Sequence, residues 1–544
     1  MDASAHKNGA ADSSGAYAYD ASSNVSARTI GGQKVSYAYN ADGELASVTT
    51  IKPGKKAVPL ETDYGYDAAG NLVRTTLPNG VIEDRSYDRA GRLVSIHATN
   101  ANGVSVFGAD YTLDPAGNPV SAVFDKPSGA ERDESYTYDA LDRLTGYCVT
   151  AGCKGENKIA YSYDQTGNRL TETVGKSVTR YAYDSDSELL SQTLPDGTKI
   201  PFSYDANGNE TQAGPWSFSY NLANELKQAT NGATAAAYSY DGDGNRLAEQ
   251  VSGSMPETTR YLWDSNFGLP QLAGEQNASG TTLRSYVYGN GPLALIDSGT
   301  TYRYYTTDRL GSIRATTGPA GGVRDRGSYM PFGGALANGG GAITNDSNPL
   351  AFTGQYLDPV TGLYDMRARN YDPSVGRFTS TDLLGPHDAP VASIYGYARN
   401  NPLRFVDPSG LDTWGVCAST GAVFDWLGVG GSGCIQFGPR EIGVSATEGG
   451  GGASGGGYFF GFGIQHSNAD CISDLRGPFV NTGGSAGVIY GGTVDYSVGS
   501  NDKGRAIHVG QIGFGESTGL ESHLHGTVTE TRTFFGSCQS RPNK

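Results

Sequence analysis

The sequence predicts an all-β chain assembled from repeated antiparallel hairpins, and three observations carry that prediction. First, an aromatic-x-aromatic phrase followed by Asp or Asn recurs as Tyr17-Ala-Tyr19-Asp20, Tyr37-Ala-Tyr39-Asn40, Tyr64-Gly-Tyr66-Asp67, Tyr136-Thr-Tyr138-Asp139, Tyr161-Ser-Tyr163-Asp164, Tyr181-Ala-Tyr183-Asp184, Phe202-Ser-Tyr204-Asp205, Phe218-Ser-Tyr220-Asn221 and Tyr238-Ser-Tyr240-Asp241. Self-similarity at a period of roughly 16 to 27 residues marks a repeat architecture, in which a unit buries its apolar face only against its neighbours. Second, Gly-Asn or Gly-Glu usually follows within a few residues, which is turn chemistry. Third, 79 Gly and 34 Tyr in 544 residues, at a mean hydropathy of −0.40, suit a turn-rich β-shell wet on both faces better than a solid globule.

Within one repeat, strand alternation puts both aromatics on one face of the sheet. The Asp then ends the strand. In Tyr66-Asp67-Ala-Ala-Gly70-Asn71-Leu72 the carboxylate can accept backbone N–H bonds as the first residue of a turn, and Gly70 can take a positive φ without steric cost. A second run starting at Leu72 completes a hairpin. Asp164-Gln-Thr-Gly167-Asn168 and Asp241-Gly-Asp-Gly244-Asn245 repeat the layout. Periodicity alone leaves a β-solenoid and a propeller open.

The phrase Tyr-x-Tyr-Asp-x-x-Gly-Asn, in tandem, resembles the YD or RHS repeat of bacterial RHS proteins, of insecticidal toxin-complex B and C components, and of teneurins. The resemblance covers residues from about 15 to 411 and implies a β-strip that spirals into a hollow shell. It divides the chain into a disordered N-terminus (1–14), a repeat shell (15–300), an RHS repeat-associated core that plugs it (301–411), and a variable C-terminal domain (412–544).

The core assignment rests on Tyr304-Tyr-Thr-Thr-Asp308-Arg-Leu-Gly311, Tyr329-Met-Pro331-Phe332-Gly333, Phe352-Thr-Gly354-Gln355-Tyr356, Ala368-Arg369-Asn370-Tyr371-Asp372-Pro373, Tyr395-Gly-Tyr397-Ala398-Arg399-Asn400-Asn401-Pro402 and Asp407-Pro408-Ser409-Gly410-Leu411, in that order. Read from residue chemistry, each Asp here is a turn cap. The resemblance adds a second role: it implies that Asp382 and Asp407 form a self-cleavage pair, with the scissile bond between Leu411 and Asp412. Adjacent carboxylates cannot both ionise freely, so one can act as base on water while the other protonates the leaving amide. Asp372 is a reserve carboxylate and Arg377 a candidate stabilising cation. Against the family spacing stands the insertion Pro386-His-Asp-Ala-Pro390.

A net charge of −16 argues against nucleic acid as partner of the whole chain, because phosphate contacts need Lys and Arg. The sequence contains no apolar run long enough for a membrane-spanning helix. Its first residues, Met1-Asp-Ala-Ser-Ala-His-Lys-Asn8, lack the apolar stretch of a signal peptide, which favours a fragment of a longer protein. Among six cysteines, Cys148 and Cys153 are the expected local disulfide pair; Cys417, Cys434, Cys471 and Cys538 allow three pairings. No spacing recommends zinc or another cofactor.

After the core, the pattern predicts a short helix around Val416 to Trp426, a Gly-rich stretch from Gly449 to Gly457, then strands at Tyr458 to Ile464, Gly487 to Val498, Ala506 to Phe514 and Gly526 to Phe535, forming a small sheet or barrel. The glycine and aromatic alternation of Tyr458 to Ile464 suits either a soluble barrel core or a membrane-inserting strand. His508, His523 and His525 are scattered surface residues or a metal or acid/base cluster. The RHS resemblance implies a secreted or surface-located bacterial toxin carrier whose enclosed cargo is its own C-terminal domain, with an immunity protein and a secretion apparatus as further partners. A structural or adhesive surface protein that presents tyrosine-rich faces to glycans or other cells is the alternative.

Overall fold

The computed structural model describes residues 15–411, apart from 53–57, 126–131, 150–157, 254, 267–268, 299–300, 337–347 and 383–392, and the strand residues between 414 and 533. The expected disordered N-terminus, Cys153, the insertion at 386–390, Asp412, Cys471 and Cys538 lie outside the described residues.

A single antiparallel sheet of 29 strands runs from Ala16–Tyr19 to Val323–Arg326. Each strand pairs with the next in sequence, so the sheet is one uninterrupted meander. Its hairpins are closed by the Asp of the repeat. Asp67 Oδ1 accepts the N–H groups of Ala69 and Asn71, both at 2.9 Å, and Oδ2 accepts the Asn71 amide at 2.9 Å. These donors, the side chain of Asn71 first, hold the Asp67 carboxyl below its usual range. Gly70 sits at φ 77°, where a β-carbon is strained.

The second aromatic of the phrase marks the register. At Tyr66, Tyr87, Tyr138, Tyr163, Tyr183 and Tyr240 the pairing slips by one residue, a β-bulge. The bulged tyrosine then donates its hydroxyl to the carbonyl that opens the return strand of the preceding hairpin. Tyr66 reaches Leu45 O at 2.9 Å, Tyr163 reaches Leu144 O at 2.7 Å, and Tyr240 reaches Leu226 O at 2.8 Å. These hairpins are thereby tied to their predecessors by a side chain as well as by the ladder.

The strip coils until late strands lie along early ones. Arg28 and Asp264, 2% and 0% exposed, form an ion pair at 2.6 Å, and Tyr17 donates to the same carboxylate at 2.8 Å. Asn79 donates to Thr317 at 2.9 Å, and Asn290 to the Tyr66 hydroxyl at 2.6 Å. Valines 35, 48, 81 and 106 pack in one apolar cluster with Ile296 and Tyr302, burying surface that a single layer would leave wet.

Beyond the strip, Tyr356–Leu357, Tyr364–Met366, Arg369–Asp372 and Arg377–Phe378 make a four-stranded sheet. Its aromatics, Tyr364, Tyr371 and Phe378, pack with Phe352 and Tyr397, the Tyr371 and Tyr397 rings lying 4.6 Å apart.

The C-terminal unit is a closed antiparallel barrel of Trp414–Phe424, Leu427–Phe437, Ile442–Ala453, Gly457–Ser467, Gly477–Ala486, Tyr490–Ser500, Ala506–Ser517 and His523–Thr533. Over Val416 to Phe424 the helix expected to reach Trp426 is a strand instead, paired from Trp414 to Phe424 with its neighbour; its valines, Thr420 and Gly421 favour extended backbone over helix. Most of the glycine-rich stretch read as a connection is also strand, within Ile442–Ala453. The register sets Cys417 opposite Cys434.

Candidate processing site at the end of the core

The core is seated on the rim formed by the hairpin turns, and three of the Gly-Asn asparagines build that rim. Asn118 donates to Asp142 at 2.9 Å, Asn168 to Ser187 at 3.0 Å, and Asn209 to Asn224 at 2.9 Å. The three acceptors replace the turn glycine of the next hairpin and hold φ of 60°, 65° and 62°. Asp, Asn and Ser tolerate or support this left-handed geometry through local hydrogen bonding. The core then reads the same rim. Asn401 donates to Asn118 at 2.8 Å, Asn400 to Gly167 O at 2.8 Å, and Tyr395 to Gly208 O at 2.8 Å.

Arg377 belongs to this seat. Its guanidinium donates to Asn168 Oδ1 at 3.0 Å and Ser187 O at 2.5 Å, and lies 4.8 Å from the Tyr183 ring centre. These contacts commit its terminal nitrogens to the shell rim.

Asp407 closes the core. Gly410 N–H donates to its Oδ1 at 2.7 Å, making the turn of Asp-Pro-Ser-Gly, and Arg369 donates to Oδ2 at 3.1 Å. The hairpin carrying Arg369 grips the rest of the turn: Ala368 N–H donates to Ser409 O at 3.2 Å, and Arg367 reaches Pro408 O. Arg367 holds φ 63° at the tip, a strained position for a non-glycine residue. Gly410 holds φ 74° and a β-carbon there would stand 3.0 Å from Met366 O, so the position favours glycine. The backbone leading to Leu411, itself half-buried, is therefore fixed in place by Arg367 and Arg369. Sequence reasoning passed over both arginines, whose partners lie about forty residues downstream; two basic residues flanking a hairpin tip were the available signal.

Asp382 is half-buried, with its N–H donated to Ile394 O at 3.1 Å. Asp372 is a turn cap accepting Ser374 N–H at 2.8 Å. Burial raises its carboxyl above the usual range. Beside it, Glu210 of the strip is pushed well up by burial and then by the Asp372 charge, with Arg377 acting in the opposite direction. The Asp372 charge thus acts on Glu210, a coupling that the sequence did not indicate.

In the barrel, His523 and His525 share one strand face, but His508 is distant. His508 pairs with Val498, Val498 with Val480, and Val480 with Val528, so three strand steps separate it from the histidine strand. The backbone does not assemble one three-histidine cluster. Among the described residues no group of His, Cys, Asp and Glu is spaced for a metal ion.

Comparison with known proteins follows the same division. The family model described as teneurin YD-shell matches residues 118–403. The tRNA3(Ser)-specific nuclease WapA of Bacillus spizizenii is 28% identical over 70% of this chain and 16% of its own length. Double-stranded DNA deaminase toxin A of Burkholderia cenocepacia is 28% identical over 66% of this chain and 23% of its own. Toxin subunit YenC1 of Yersinia entomophaga is 25% identical over 69% and 44%. The chain thus spans less than half the length of these curated relatives. Among solved structures, TcdB2-TccC3-Cdc42 superposes with a TM-score of 0.60 at 22% identity, covering 73% of this chain and 21% of that one.

Proposed function

Because the chain belongs to the teneurin YD-shell family, we propose that it is part of a bacterial toxin carrier in which the shell encloses the C-terminal domain as cargo and the core releases it. The observation that carries this reading is the order of parts: a strip closed on itself by Arg28 and Asp264, a core seated on its rim, and a second compact unit that holds Leu411–Lys544 together with Asp382–Ile394. Relatives named as a nuclease, a deaminase toxin and a toxin subunit support it.

Release is by hydrolysis of the Leu411 to Asp412 bond. Asp382 and Asp407 are the acting carboxylates in this proposal, one delivering water and the other protonating the leaving amine. Arg367 and Arg369 are positioning residues that hold the turn upstream of the bond. The cargo meets its target outside the producing cell, the producer is protected by an immunity protein, and disulfides at Cys148 with Cys153 and at Cys417 with Cys434 form in an oxidising compartment.

The test is toxicity of the full chain in bacteria. Full-length protein directed to the periplasm is expected to arrest growth, and a chain ending at Leu411 is expected to leave it unaffected. Equal growth of both strains, with both proteins present, contradicts a toxic cargo.

A further inference from the structure

Residues directly opposite in an antiparallel ladder lie on the same face. The eight pairings of the C-terminal barrel therefore sort its positions into two continuous faces. One face collects large apolar residues, among them Ile435, Val444, Phe460, Phe462, Val494 and Phe514. The other collects small or uncharged polar residues, among them Ser432, Gly461, Asn481, Ser497, Gly513 and Thr529. Phe462 stands opposite Phe514, and Val494 opposite Ile512, so the apolar face continues across consecutive strands and across one pair distant in sequence.

The charge distribution decides which solvent each face meets. A soluble barrel turns its apolar face inward and covers its outside with charged residues, normally a quarter or more of the surface. Here, among the described barrel strands, Asp495 is the one charged residue on the small, polar face. Charges on the apolar face are Glu516, near the end of its strand, and one patch in which Glu448 faces Glu530 beside Arg532. A face of Gly, Ser and Thr almost without charge is a poor protein surface in water but a good wall for a narrow lumen, and the apolar face then meets hydrocarbon. Dimensions agree. The strands are 10 to 12 residues long, against the 9 to 11 or so that a tilted strand needs to cross a bilayer. Closure leaves no unpaired sheet edge, as lipid requires, and the strand number is even, as in bacterial membrane barrels.

We infer that the eight described strands between Trp414 and Thr533 form a membrane-inserting β-barrel, so that the cargo acts on the lipid bilayer of the recipient cell. This rests on the carrier reading for delivery of the barrel, and on the two faces for its target. The experiment expresses the full chain with export to the periplasm of a Gram-negative bacterium and follows growth together with membrane potential, read by a potential-sensitive dye. Wild type is expected to depolarise cells as growth stops. Phe462→Asp on the apolar face is expected to reduce the depolarised fraction by about tenfold or more, whereas Ser432→Asp on the polar face retains it. Growth arrest with membrane potential intact overturns the membrane target and leaves the carrier reading standing; neither arrest nor depolarisation overturns both. Loss of activity in Ser432→Asp with retention in Phe462→Asp reverses the faces and also overturns the inference. The wild-type measurement decides the question even where Phe462→Asp fails to accumulate.

Discussion

The shell strip and the C-terminal barrel are both antiparallel β-structure, but their registers are set by different means. In the strip, repeat hairpins carry their own marks, as at Tyr66 to Asn71: an Asp that collects the turn amides, a left-handed glycine three positions on, and a bulged tyrosine bonded to the preceding hairpin. In the barrel, strands pair residue for residue over eight to eleven positions without a slip, and register follows from face alternation and closure of the ring. A locally specified sheet can extend indefinitely and must be ended by other contacts. A closed barrel ends itself.

The largest expected effect lies where the strip borrows closure from distant residues. Arg28→Ala leaves Asp264 buried without its cation, a change that costs about 3–5 kcal/mol, read as a lower urea midpoint for the shell transition. An unchanged midpoint means that the local marks suffice and the seam between early and late strands contributes little.

A smaller effect comes from protonation. Glu249, 3% exposed and bonded to Tyr261 at 2.8 Å, is pushed up to about 7 by burial and then by the Asp358 charge, with Arg246 opposing. A carboxyl raised in the folded state stabilises fully below its unfolded value of about 4.3, and that contribution is lost as pH rises through about 7. Between about pH 5 and pH 8 thermal denaturation is expected to show this group favouring the acid side, supplying on the order of 3 kcal/mol. Glu249→Gln flattens that part of the slope; an unaltered slope assigns it elsewhere.

The smallest effect tests the repeat's own mark. Tyr163→Phe removes one hydroxyl bond to Leu144 O and is expected to cost about 1 kcal/mol in the same urea experiment. A loss no larger than that of an exposed hydroxyl makes the bulge, rather than the bond, the source of register.

Legibility in the sequence follows this contrast. The Asp67, Gly70 and Asn71 pattern is readable because donors and acceptors stand within a few residues of one another. Arg28 and Asp264 are not, being 236 residues apart, nor are Arg367 and Arg369, which meet the closing turn only in the folded core. Asp407 was readable as a turn cap, and the structure adds its cation. The helix expected after Val416 failed because its evidence was local, whereas the pairing that makes it a strand comes from two neighbours. The separation of His508 from His523 and His525 is likewise a matter of strand order, which spacing does not encode.

The central claim is that the chain is built to part at the seam between core and cargo. Intact-mass measurement of the purified full chain, wild type beside Asp407→Asn, tests it most directly. The account predicts two wild-type species, one ending at Leu411 and the other beginning at Asp412, and a single full-length species for Asp407→Asn. A wild-type protein that remains one full-length chain, or an Asp407→Asn protein cut at the same bond, contradicts it.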